Sequence, residues 1–522
     1  MKNLKYLSLV FAGIFVFTSC TKDLDLEPEF GINSASVYND PSNYINVLAK
    51  IYAGLTLSGQ EGPAGQPDIA DIDEGFSSYI RVYWNLQQLP TDESICGWND
   101  TGIPELNTMT WGSSNSFTKA MYSRLYFQIA VCNEFIRECS DENMDRRGFS
   151  QADKDQITAF RSEARFLRAL SWYHAIDLFG SVPFTTEADG IGSFLPEQIS
   201  RTDLFDYVET ELLELEDLLA APGTNEYARA DRAAAWFLLA KLYLNAEVYT
   251  GNARYANCAT YCNKILGAGY SLHDNYPGLF LADNHLSPEI IFPIACDGLR
   301  TQAWGGMTFM VHAFMVGANM TGAEFGVNGG WNGYRSTKAF SDKFLADSLD
   351  SDRFQFYIEG QTQEINNIGT ASEGWPMGKY KNVDSNGNPG SDVSGNHVDT
   401  DFPLMRLAEV YLMYAECAVR GAGDIGTASG YMQELRDRAN ISSPLPSLDL
   451  EWILDERARE LQWEAKRRTD LIRFGLFTSS DYIWEFKGDV EDGQGTSNHL
   501  NLYPLSADDL IANPNLQQNP GY

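Results

Sequence analysis

Apolar residues recur at intervals of three and four through most of the chain, the period of a helix with one face turned inward. In 231–249, Ala233, Trp236, Phe237, Ala240, Tyr243 and Leu244 share one face, and Gly251 and Asn252 end it. Cys258, Cys262 and Ile265 continue the pattern until Gly267 and Gly269 stop it. Two antiparallel helices with a short turn are the unit of tetratricopeptide-type repeats. The spacing predicts a further pair at 153–179 (Phe160, Ala164, Leu167, Leu170) and 201–220. Another is predicted at 403–420 (Leu404, Leu407, Tyr411, Tyr414, Ala418) and 427–440, and an earlier one at 40–57 and 115–138. A last long helix is predicted over 450–474. Two stretches lack this rhythm. Residues 58–114 are rich in Gly, Pro, Asp and Trp; residues 270–400 hold many Gly and Asn and short β-like runs such as Glu289–Ile294. Long loops in a compact protein usually carry function.

The N-terminus departs from this pattern. Lys2 and Lys5 precede an apolar run from Tyr6 to Phe17, shorter than the roughly 20 residues that span a bilayer. It ends at Thr18 and Ser19, followed by Cys20, as in a bacterial lipoprotein signal. Residues 1–19 read as the signal peptide, Cys20 as the lipidated residue, 20–39 as an acidic tether and 40–522 as one domain.

Composition narrows the function. With 71 acidic against 38 basic residues the net charge is −33, which excludes nucleic acid and charge-driven membrane binding. A hydrophobic fraction of 44% excludes disorder. Beyond Cys20 there are seven Cys, an odd number with no C-x-x-C, so no disulfide scaffold is expected. The six His are not spaced as metal ligands, and no H-E-x-x-H, G-x-S-x-G or P-loop occurs. Gly421–Gly426 matches G-x-G-x-x-G but follows a helix, so it reads as a helix-ending turn. Asp384, Asn386, Asn388 and Asp392 resemble a calcium loop faintly; Pro389 stands where that loop needs Gly, so a turn is expected there too. No cofactor is expected, although structural calcium stays open in so acidic a chain.

Several collinear segments resemble the SusD/RagB family of bacterial surface glycan-binding lipoproteins. They are Cys20 with Asp23-Leu24-Asp25; Arg161-x-Glu163-Ala164-Arg165-Phe166-Leu167-Arg168-Ala169; Asp177–Pro183; Arg406–Leu412; Glu456-Arg457-x-Arg459-Glu460-Leu461; Arg467–Gly475; Tyr503-Pro504-Leu505; and Asn513–Tyr522. The resemblance implies a mainly α fold, four tetratricopeptide-like helix pairs against a loop-rich ligand-binding part. It also implies an outer-membrane lipid anchor facing the exterior, and a SusC-like TonB-dependent transporter as partner, alongside surface glycan-binding lipoproteins and amylases of the same system. The charged motif residues, such as Arg168 and Arg473, are expected to clamp helices.

Sugars present apolar C–H faces and pairs of hydroxyls, so binding them needs flat aromatics and forked polar groups. Two loop regions hold both. One carries Asp71, Asp73, Glu74, Arg81 and Gly97-Trp98-Asn99-Asp100; the other carries Trp304-Gly305-Gly306 and Gly329-Gly330-Trp331-Asn332-Gly333. Trp84 and Trp111 read as core. The resemblance, tightest to starch-binding members of the family, implies that Trp98, Trp304 and Trp331 form an aromatic arc for starch or malto-oligosaccharides. Arg81 and Asp73 would then read hydroxyls, and Asn99 or Asp100 would replace a family Asn in a shortened loop. Two alternatives remain: a glycoside hydrolase, since Asp71, Asp73, Asp92 and Glu93 lie close in sequence, and a repeat scaffold for protein partners.

Overall fold

The computed structural model describes residues 34–522 apart from 191, 193, 347, 348 and 350, so the signal peptide, Cys20 and most of the tether lie outside the described residues. The fold is mainly α. Helices Ser116–Glu138, Gln151–Leu178, Arg201–Leu215, Arg232–Leu244, Tyr255–Leu266 and Leu407–Val419 pack each against the next. Leu407–Val419 in turn packs on Ile425–Arg438 and Leu450–Glu460. This succession is compatible with tetratricopeptide-like pairs. Most of these helices start on a polar cap: Asn115 accepts from the amides of Phe117 and Thr118, and Ser150 forms a capping box with Asp153. Asp231, Asp424 and Asp449 cap the later ones in the same way. Folded chain begins before residue 40, inside the span expected as a tether: Ser34–Tyr38 is helical and Tyr38 packs on Tyr44 and Phe135.

Three sequence expectations change. The stretch 403–420 is not all helix: Phe402–Arg406 is a strand, antiparallel to Ile290–Ile294, and the helix starts at Leu407. Residues 450–474 are not one helix. The chain leaves it at Leu461 and re-enters at Arg467, with Trp463 and Ala465 in the left-handed region. That conformation costs an L-residue about 1–2 kcal/mol. The turn offsets it by delivering the Trp463 amide to Glu93 at 2.8 Å and the Trp463 carbonyl to Trp84 Nε1 at 2.9 Å. Finally, 58–114 is not all loop. Helix Tyr79–Gln88 carries a polar stripe at Arg81, Asn85 and Gln88, yet every residue except Arg81 is buried. Ile103–Thr108 is helical as well, and 270–400 contains helices Gly306–Phe314 and Lys338–Leu345. Trp84 and Trp111 are core residues as expected, and Gly421 and Asp384–Asn388 form turns.

The signature charges lie inside this frame. Arg406 pairs with Glu289, Glu460 and Glu464, and Arg438 with Glu289 and Glu460. Arg353 pairs with Glu456 and Glu460, and Lys379 with Glu464. Burial pushes Glu460 towards the neutral acid, but Arg438, Arg406 and Arg353 overcome it and bring its pKa down to about 2. Arg473 spans Glu416, Asp470 and Asn245, and Arg168 joins Glu211 to Asn133, so both clamp helices. The seven cysteines from Cys96 onward are free thiols, and no described helix is long and apolar enough to cross a membrane.

Candidate functional site

The two loop regions meet through a small sheet. Ile95–Cys96 pairs antiparallel with Tyr334–Arg335, and the Gly97 amide continues the ladder to the Gly333 carbonyl at 2.9 Å. Residues 331–333 also hydrogen-bond along the end of helix Gly306–Phe314: Trp331 N to His312 O (2.7 Å), Gly333 N to Ala313 O (2.9 Å) and Asn332 N to Met315 O (3.0 Å). This brings Trp98 beside Trp331, whose carbonyl accepts from Trp98 Nε1 at 3.1 Å. Gly333 is required here, because a Cβ would lie 2.7 Å from the edge of the Trp98 indole.

Each ring rests on a rigid support. Trp98 stands edge-on to Tyr334, with ring centroids 5.5 Å apart. Trp331 stacks on His312, with centroids 4.9 Å apart and planes 15° from parallel. Trp304 tilts over His397 at 4.9 Å. His312 is itself fixed, with Nδ1 2.6 Å from the Gly329 carbonyl and Nε2 3.0 Å from the Asn396 carbonyl. Burial lowers the pKa of both His312 and His397; the two carbonyls facing His312 act in the opposite sense, and a neutral ring donates to only one of them. The adjacent residues Asn396 and His397 thus brace two tryptophans from one loop. That loop is folded around Asp392, which accepts from the amides of Ser394, Asn396 and His397.

Arg81 closes the circuit. Its Nη1 donates to the Gly75 carbonyl at 2.9 Å, and its guanidinium lies 4.9 Å from the Phe309 ring and 5.9 Å from Trp98. Its buried Nε has no hydrogen-bond partner. Gly75 abuts Trp304, since a Cβ there would lie 3.2 Å from the tryptophan Cβ. Asp73 is exposed beside it and accepts from Phe76 N at 3.0 Å, which shapes the turn. Trp98, Trp304 and Trp331 are all partly exposed, so ring area remains to be covered. Asn99 and Asp100 follow Trp98 and are exposed; the Asp100 carbonyl starts the next helix by accepting from Ile103 N. The structure therefore joins Trp98, Trp304, Trp331, Arg81 and Asp73 in one patch, with Asn99 and Asp100 at its edge. Nothing in the sequence spacing marks His312, Asn396 and His397 as supports, because they reach the tryptophans only through the tertiary fold.

The carboxylates near in sequence are not near in role. Asp92 is fully buried and takes both Nε and Nη2 of Arg467, at 2.7 and 2.8 Å. Glu93 is buried behind it against Trp463, and burial raises its pKa to about 8. Asp71 and Asp73 stay at the surface.

Known proteins resemble this chain over its whole length. The starch-binding protein SusD of Bacteroides thetaiotaomicron is 33% identical over 574 residues, covering 99% of each chain. The chain belongs to the SusD family. A sequence model of the SusD family matches residues 325–522, which take in Trp331 and most of the buried ion pairs but neither Trp98 nor Trp304. Among solved structures, a SusD-like carbohydrate-binding protein from Bacteroides fragilis superposes with a TM-score of 0.71 at 18% identity, covering 92% of this chain and all of that one. Surface glycan-binding protein A from Bacteroides thetaiotaomicron, solved with laminarihexaose, superposes at 0.70 and 18% identity, covering 92% and 99%. At such identity these two establish the SusD fold.

Proposed function

We propose that the protein binds starch-like α-glucan oligosaccharides at the cell surface, without hydrolysing them, and passes them to a SusC-like TonB-dependent transporter. The observation that carries this reading is the patch itself: three partly exposed indoles, each held from behind, beside a partly exposed guanidinium. Stacked rings suit the C–H faces of sugars, and Arg81 with Asp73, Asn99 and Asp100 suits their hydroxyls. The 33% identity to a protein named for starch binding favours α-glucan over other glycans. Attachment through lipid on Cys20 to the outer membrane, and company with glycan-binding lipoproteins and amylases, complete the proposal.

The test is retardation in a native gel containing starch, with incubation in amylose to follow reducing ends. Retardation without new ends is expected; accumulating ends would reject the non-catalytic reading in favour of a hydrolase. A stacked aromatic contributes about 0.5–1.5 kcal/mol beyond area burial, so three together are worth on the order of 2–4 kcal/mol, roughly 30- to several-hundred-fold in affinity. Unchanged retardation of the Trp98→Ala, Trp304→Ala, Trp331→Ala triple variant would overturn the site.

A further inference from the structure

Beside the tryptophan patch lies a second opening that the arc does not use, a cavity of about 300 Å³ between the loops 316–319, 357–361 and 371–372. Two contacts tie it to the patch from opposite sides. On one wall, the Gly317 amide donates to Asn332 Oδ1 at 2.9 Å, and Asn332 directly follows Trp331. On the other, the loop leading into Ala371 and Ser372 passes Ile368, whose carbonyl accepts from Arg335 Nη2 and would lie 3.1 Å from a Cβ on Gly97, the residue before Trp98. The cavity is therefore flanked by the neighbours of both Trp98 and Trp331.

We infer that this cavity is a further sugar subsite, seating one or two rings of a glycan chain that continues past Trp98 and Trp331. The inference rests on the glycan-binding reading above. The lining differs from the arc in kind. Its polar groups include the Asn319 and Gln361 carboxamides beside the Glu359 carboxylate and the Tyr357 and Ser372 hydroxyls. Asn319 Nδ2 donates to the Glu359 carbonyl at 2.8 Å, and the Gln361 carboxamide, turned so that its nitrogen faces the Ala371 and Ser372 carbonyls, donates to each at 3.0 Å. Fixing the donors this way leaves both carboxamide oxygens as acceptors for sugar hydroxyls. Gly317 and Gly360, both at positive φ, bring main chain close on opposite walls without side chains in between. The volume sits at the small end of ligand cavities, about 300–1,000 Å³, which suits a terminal ring or two and not a whole helix turn of glucan. The arc would then grip the faces of the chain, and this subsite its edge hydroxyls.

The test compares maltotriose with maltoheptaose by titration calorimetry. The wild type is expected to bind the heptaose more tightly. Ala318→Trp, which fills the opening from an exposed position, and Asn319→Ala, which removes one acceptor, should each lower heptaose affinity about three- to tenfold, equivalent to roughly 0.7–1.4 kcal/mol, and leave maltotriose unchanged. An unchanged melting temperature shows that each variant is folded. If heptaose binding is unchanged in both variants, or the two sugars weaken alike, the subsite is overturned while the arc stands. If the wild type binds neither sugar, or the triple tryptophan variant binds both as well as wild type does, the glycan reading itself fails and the subsite with it.

Discussion

The buried ion network and the tryptophan patch both set guanidinium groups against aromatic rings, yet they do opposite things with them. In the network, Arg438 lies 5.0 Å from the Tyr276 ring and Arg406 5.9 Å from Phe280, and carboxylates answer both charges. In the patch, Arg81 lies over Phe309 and Trp98, answers one carbonyl and stays partly exposed, whereas Arg406 and Arg438 are buried. The first arrangement is closed to any ligand; the second has contacts still to make. The difference teaches that the charged motifs of this chain are architecture, while the proposed glycan contacts sit on glycine-flanked loops that those motifs frame.

The largest effect expected is on the network side. Glu460→Ala deprives Arg353, Arg406 and Arg438 of a shared partner, and breaking a buried pair typically costs about 3–5 kcal/mol. Chemical denaturation should show the loss, and a variant as stable as wild type would collapse the contrast. The triple tryptophan variant is the mirror case, with affinity lost and the denaturation midpoint nearly unmoved.

Glu93→Gln sharpens the line between them. Glu93 holds its proton to about pH 8 in the folded protein and loses it near the ordinary carboxylate range when unfolded. Its contribution is therefore full below that range and lost as pH rises through 8. The variant should match wild type near pH 4 and exceed it in stability at pH 9, by on the order of a few kcal/mol. Starch retardation should not change; a loss of binding would draw this carboxylate back into the site.

The smallest effect belongs to His312→Phe, which keeps a ring under Trp331 and gives up the two carbonyl contacts. A two- to threefold loss of affinity is expected, roughly 0.4–0.7 kcal/mol, with more for His312→Ala. Equal affinity in all three proteins would mean that Trp331 needs no brace.

Much of the helical frame was legible because an inward face repeats every three or four residues, as in Ala233 to Leu244. The misses have physical causes. Tyr79–Gln88 is a short helix inside a Gly-, Pro- and Asp-rich stretch, and the tertiary fold buries nearly all of its polar stripe of Arg81, Asn85 and Gln88. The interruption at Trp463 is imposed by Glu93 and Trp84, some 370 residues away. In the site, Gly and Asn beside Trp98 and Trp331 marked loops, so those rings could be picked out locally. Their supports could not, because His312 and His397 reach Trp331 and Trp304 only through the tertiary fold.

The left-handed turn at Trp463 also bears on how the molecule is made. The segment that leads into Trp98 is seated by residues near the far end of the chain: Trp84 and Glu93 by Trp463, and Asp92 by Arg467. A nascent chain halted before residue 460 would already contain Trp98, Trp304 and Trp331 but not the residues that seat Trp84, Asp92 and Glu93. Sequence-distant contacts of this kind form late, so ligand competence arrives as one of the last events of maturation, and fragments released early carry the rings without the receptor.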